Sequence, residues 1–128
     1  MLVFDAEPLI DLLTGEREAK RLIPVLERIQ RGTETGGISF VNLAEIYYVL
    51  RRRSLALAEQ ELAELKDWGL RFLSADPVWK QAADLKANHG LPLADAFAAA
   101  TAIALGAKLV CGNDAHFTGL SGLVTLRP

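Results

Sequence analysis

PLADAFAAATAIALGAKLVCGND, residues 92–114, is the stretch whose reading decides the fold. Pro92 stands where a helix can begin, since its missing N–H costs nothing there, and Gly106 stands where a helix can stop. Between them Ala98, Ala99, Ala100, Ala102 and Ala104 describe a closely packed helix running to about Leu105. Lys108-Leu109-Val110-Cys111 then reads as a short buried strand, and an acid, Asp114, follows after Gly112-Asn113. A helix that feeds directly into a buried strand is half of an alternating α/β unit.

The same alternation runs outward in both directions. Leu2-Val3-Phe4 reads as a buried strand closed by Asp5 and followed by helix-compatible sequence. Ala19 to Gln30 carries Leu22, Ile23, Leu26 and Ile29 at helical spacing. Gly36-Gly37 reads as a break, and Ile38-Ser39-Phe40 as a second strand. Leu43, Ile46, Tyr47 and Leu50 then fall at i, i+3, i+4 and i+7 of a helix, with Arg51 to Arg53 in the last turn, where the helix dipole favours cations. Leu55 to Trp68 is a further amphipathic helix stopped by Gly69, and Leu70 to Leu73 a strand. Pro77 to Asn88 reads as a helix ended by Gly90, and Leu123-Val124-Thr125 as the last strand. Strands separated by helices imply a parallel sheet covered on both faces. The expected fold is α/β, a three-layer α/β/α sandwich with a short parallel sheet, forming one domain over residues 1–128 without repeats or linkers.

Bulk properties narrow the class. A chain of 128 residues, 51% hydrophobic and 23% charged, can bury the core of one globular domain and leaves some apolar surface for an interface. A formal net charge of −2 argues against a protein that grips nucleic acid through a broad basic field. One cysteine excludes an internal disulfide and suits a reducing compartment. No apolar run approaches the roughly 20 residues of a membrane span, and Leu2-Val3-Phe4-Asp5 does not read as a signal peptide, so a cytoplasmic location is expected.

In parallel α/β sheets, ligands sit beyond the carboxyl ends of the strands. Asp5 and Asp114 follow strands, Glu45 lies one turn into the helix after the second strand, and Asp95 opens the Ala-rich helix. Each has an ordinary structural explanation: Asp5 and Asp114 as helix N-caps, Glu45 as partner of Asn42 in a capping box, Asp95 as complement to a helix dipole. Capping does not require the acids to converge on one edge. Parallel strands bring three of the four there, and the fourth joins them if the Ala-rich helix that carries Asp95 begins at that edge too. Carboxylates forced together repel one another unless cations intervene, and hard ions such as Mg²⁺ or Mn²⁺ prefer oxygen ligands. Such ions activate water and stabilise charge on phosphoryl oxygens.

These pieces, in this order and spacing, resemble the PIN-domain family, and within it the VapC-type toxins of toxin–antitoxin pairs. The resemblance rests on Leu2-Val3-Phe4-Asp5, on Ile38-Ser39 leading into Asn42-Leu43-Ala44-Glu45-Ile46-Tyr47, on Leu93-Ala94-Asp95-Ala96, and on Ala107-Lys108-Leu109-Val110 followed by Gly112-Asn113-Asp114-Ala115-His116-Phe117. It covers essentially the whole chain. It implies a Mg²⁺- or Mn²⁺-dependent endoribonuclease hydrolysing RNA phosphodiesters, with Asp5, Glu45, Asp95 and Asp114 as metal-coordinating and catalytic acids. It also implies a homodimer and a small antitoxin that blocks the site. Two positions depart from the pattern. Ala6-Glu7 stands where the family often has Thr or Ser after the first Asp, and Gly112 stands in place of its usual Thr. Glu7 is thereby a further metal candidate, or simply a first-turn helix acid before Pro8.

The remaining chemistry-bearing residues read as structural. His116 reads as a surface or packing residue, His89 as part of a helix end, and Cys111 as a small core residue. Two histidines and one cysteine do not make a structural zinc site. Arg51 to Arg53, Lys20, Arg21, Arg28 and Arg31 read as solvated faces, and Trp68 and Trp79 as core or interface residues. The alternative function is a catalytically weak or inactive PIN-like module that docks a partner protein. A receiver-type phosphoryl-transfer domain ranks below both, because the adjacent acid pair and the Lys after the fourth strand are missing.

Overall fold

Side chains alternate between the two faces of a strand, and this alternation builds both cores. In the computed structural model, which describes residues 1–113 and 115–128, β1 (Leu2–Phe4) sends Leu2 and Phe4 into one hydrophobic cluster and Val3 into another. β4 (Lys108–Val110) divides Val110 and Leu109 in the same way. The first cluster is completed by α1 (Ala6–Leu13), a 3₁₀ turn (Glu18–Leu22), α2 (Ile23–Gln30), α3 (Phe40–Arg51) and α4 (Leu55–Asp67). The second is completed by α5 (Trp79–His89) and α6 (Leu93–Leu105). With β2 (Gly36–Ser39), β3 (Arg71–Leu73) and β5 (Val124–Leu126), the strands form one parallel sheet in the order β3-β2-β1-β4-β5. The three-layer α/β/α architecture is therefore as expected. Among the described residues, no helix is long and apolar enough to cross a membrane.

Several boundaries differ from the sequence expectation. Gly36-Gly37 is not a break but the start of β2, and Phe40 is the first residue of α3 instead of the last of a strand. Space explains the glycines: a Cβ on Gly36 would lie 2.5 Å from Ile29 Cδ1, and one on Gly37 2.7 Å from Leu73 Cδ1. Ser39 ends the strand because its Oγ accepts a hydrogen bond from Val41 N (3.2 Å), capping α3. The helix expected over Ala19–Gln30 divides into the 3₁₀ turn and α2, and Pro24 falls in the first turn of α2, where no N–H is needed. Gly90 and Gly106 end α5 and α6 in the left-handed conformation, as expected. Cys111 is buried, whereas Trp79 is 60% exposed and so does not belong to the core.

The register brings the strand ends level. Val3 pairs with Gly37 and Phe4 with Val110, and Asp5 N donates to Val110 O at 2.9 Å. α1 and α3 start directly from the ends of β1 and β2. α6 runs down into β4 from the opposite direction, so its N-terminus rises to the same edge. Three helix N-termini thus gather at the carboxyl edge of the central strands.

Candidate metal centre

Asp5 occupies the N-cap position of α1 but makes no side-chain cap hydrogen bond. It is 2% exposed, which makes it a buried carboxylate at the end of the central strand. The capping explanation for Glu45 fails as well. Ser39 is the N-cap of α3, so Glu45 lies in the second helical turn, beyond the reach of a capping box. Asp95 is the only acid in the first turn of α6, which begins after Pro92.

Asn42 joins two of these elements. Its side chain is fully buried, and Nδ2 donates to Ala94 O at 3.0 Å. This bond ties the first turn of α3 to the residue preceding Asp95, and so fixes α3 and α6 relative to each other. Asn42 Oδ1 is buried with no hydrogen-bond partner among the described residues. The juxtaposition is visible electrostatically: burial pushes the Glu45 carboxyl above its usual range, and the charge of Asp95 pushes it further.

His116 is the residue that sequence reasoning undervalued. It is exposed, as expected of a surface histidine, yet its Nδ1 lies 2.5 Å from Asp95 Oδ2. Asp95, with a side chain only 13% exposed, therefore presents one oxygen to an imidazole. Nothing local to Ala115-His116-Phe117 announces a contact with a helix start 21 positions earlier. Arg127, near the end of the chain, also reaches this edge and donates to Gly112 O. Glu7 is exposed, and its carboxylate lies against Gly112. Asp114, the fourth expected acid, lies outside the described residues.

The donor set suits a hard divalent cation: carboxylate oxygens from separate elements, a buried amide oxygen of Asn42 without a partner among the described residues, and no thiolate cluster. Among the described residues, no three histidine, cysteine or acidic side chains gather closely enough to form a coordination shell by themselves.

Because the folded-state pKa of Glu45 is raised from 4.5, its ionised form is penalised by folding. Below 4.5 both states are protonated and the penalty vanishes; stability is lost as pH rises from there through the folded value. In chelator, Glu45→Gln should therefore melt at a higher temperature than the parent at neutral pH and at the same temperature near pH ~4. Thermal melts at the two pH values check this, and equal melting at neutral pH would contradict the burial of a strained carboxyl.

Comparison with known proteins agrees with this fold. The family model for the PIN domain matches residues 2–123. No curated protein sequence matches. Solved structures of the same fold include a toxin–antitoxin complex from Klebsiella pneumoniae, 23% identical, covering 98% of this chain and 97% of its own, with a TM-score of 0.73. VapBC2 from Rickettsia felis, bound to a DNA fragment from its promoter, is 18% identical over 98% and 96% of the two chains, with a TM-score of 0.76. Mycobacterium tuberculosis VapC20, a sarcin–ricin loop cleaving toxin, is 20% identical over the full length of both chains, with a TM-score of 0.74. The chain belongs to the PIN domain family.

Proposed function

We propose that this chain is a Mg²⁺- or Mn²⁺-dependent endoribonuclease and the toxin of a toxin–antitoxin pair. The observation that carries the reading is the placement of Asp5, Glu45 and Asp95 on three helices that start from one sheet edge, with the charge of Asp95 felt by Glu45. Asp5, Asp95 and Asp114 would hold the cation, with Glu45 holding it or orienting water. A bound cation would supply activated water and charge stabilisation at the scissile phosphate.

The protein's own residues divide the remaining tasks. Asn42 fixes the spacing of α3 and α6, and His116 holds one oxygen of Asp95. RNA is the proposed substrate, entering as a single strand or loop. The similar structures, among them a sarcin–ricin loop cleaving toxin and a toxin–antitoxin complex, support both the substrate class and a small antitoxin partner. Large apolar side chains at the surface, including Phe40, Leu93 and Trp79, support a further interface, assigned to a homodimer.

One assay on total RNA tests the reading. Cleavage is expected with Mg²⁺ or Mn²⁺ and none in excess chelator, and metal-independent cleavage would contradict it. The altered positions Ala6, Glu7 and Gly112 favour the second reading, a partner-docking module with little catalysis. Isothermal titration with Mn²⁺ separates the two, since binding that does not depend on the four acids leaves only the docking module.

A further inference from the structure

Glu7 and Gly112 are a matched pair. An ideal Cβ built on Gly112 would lie 2.8 Å from Glu7 Oε1, 3.0 Å from its Cδ and 3.4 Å from its Oε2. The whole carboxylate thus rests on the space that any other residue at position 112 would fill. The glycine is not there for its backbone, because Gly112 is absent from the positive-φ glycines among the described residues. Its missing side chain is the seat of the Glu7 carboxylate.

The seat is at the carboxyl ends of β1 and β4, the edge at which Asp5 lies. Glu7 lies two residues beyond Asp5, in the first turn of α1, and Gly112 lies two residues beyond the end of β4. The bond from Asp5 N to Val110 O holds those two strand ends together, and Arg127 donates to Gly112 O. The carboxylate also borders an open cavity of about 350 Å³ lined by Asp11, Glu18, Arg21, Asn113 and Arg127. A first-turn acid serving only the helix dipole has no need of a glycine across the sheet edge.

We propose that Glu7 is an added carboxylate of the cation site, held there by Gly112, and that it strengthens divalent-ion binding by this chain. The inference rests on the cation site proposed above and concerns how tightly that site binds. A charged, acceptor-only group at this place draws the cation or its coordinated waters more strongly than a neutral hydroxyl would. Gly112→Ala is a selective probe, because the atoms it displaces are the far end of a flexible side chain and the backbone need not move. It leaves the Glu7 charge in the first turn of α1 while removing its seat.

Mn²⁺ affinity, measured by isothermal titration and by electron paramagnetic resonance of free Mn²⁺, reads the effect without any RNA. Glu7→Gln and Gly112→Ala should each weaken binding by about 10-fold or more, the range of residues that support a metal shell. The double variant should be no weaker than Glu7→Gln alone, since both changes remove one interaction. Thermal melts in chelator confirm that each variant is folded. Parent-like Mn²⁺ affinity in Gly112→Ala would overturn the proposal. So would a Gly112→Ala effect that persists in the Glu7→Gln background, because it would then act through the loop and not through the carboxylate. Failure of the parent protein to bind Mn²⁺ would overturn the cation site itself, whereas strong parent binding with indifferent variants would overturn only the role of Glu7.

Discussion

Asp95→Asn is expected to lower cation-dependent RNA cleavage by at least about 100-fold, the upper end of what a residue merely supporting a metal shell contributes, while the protein remains folded. Asn has nearly the shape of Asp and can still meet His116 Nδ1, so the packing at the start of α6 survives. The loss of a first-turn acid costs roughly 0.3–1 kcal/mol of helix stabilisation, and this is partly offset because the charge that disfavours ionised Glu45 is removed. What disappears is one negative oxygen donor at the sheet edge. Cleavage of total RNA at fixed Mg²⁺, with a thermal melt of the same sample, reads both outcomes. Cleavage at the parent rate would remove Asp95 from the site, and loss of folding would mean that its role is structural.

That prediction rests on features of unequal legibility. The position of Asp95 could be read from Pro92 and the alanine run, because local propensity and spacing define a helix start. The placement of Asp5 at the end of β1, and of Glu45 on the helix that leaves β2, followed from the rule that parallel strands deliver their carboxyl ends to one edge. The start of β2 was misjudged because Gly36-Gly37 has the local signature of a turn, whereas its cause is the pressure of Ile29 and Leu73 on the strand. The same blindness hid His116 and Asn42, whose partners lie 21 and 52 positions away. In three dimensions the Glu7 carboxylate lies on Gly112, a contact between positions far apart in the chain that nothing local to either announces.

Phe4→Ala is expected to destabilise the fold by about 3–5 kcal/mol, the usual range for emptying a buried aromatic site. Phe4 is 0% exposed and lies in the central strand, among residues contributed by α1, α2, α3 and α4. Those helices start from or return to the edge that carries the acids, so the ring supports the layer from which Glu45 projects. A domain of this size commands about 5–15 kcal/mol in all, so roughly a fifth or more of the stability would be lost. The strand end itself is held by backbone bonds, including Asp5 N to Val110 O, which the substitution leaves in place. Urea unfolding should therefore show a lower midpoint with an unchanged slope, while the protein that remains folded without urea binds Mn²⁺ as the parent does. A loss below about 1 kcal/mol would mean that the site collapses around the missing ring. Full stability loss accompanied by weakened Mn²⁺ binding in the folded fraction would show that the core packing, and not the backbone register alone, sets the positions of the acids.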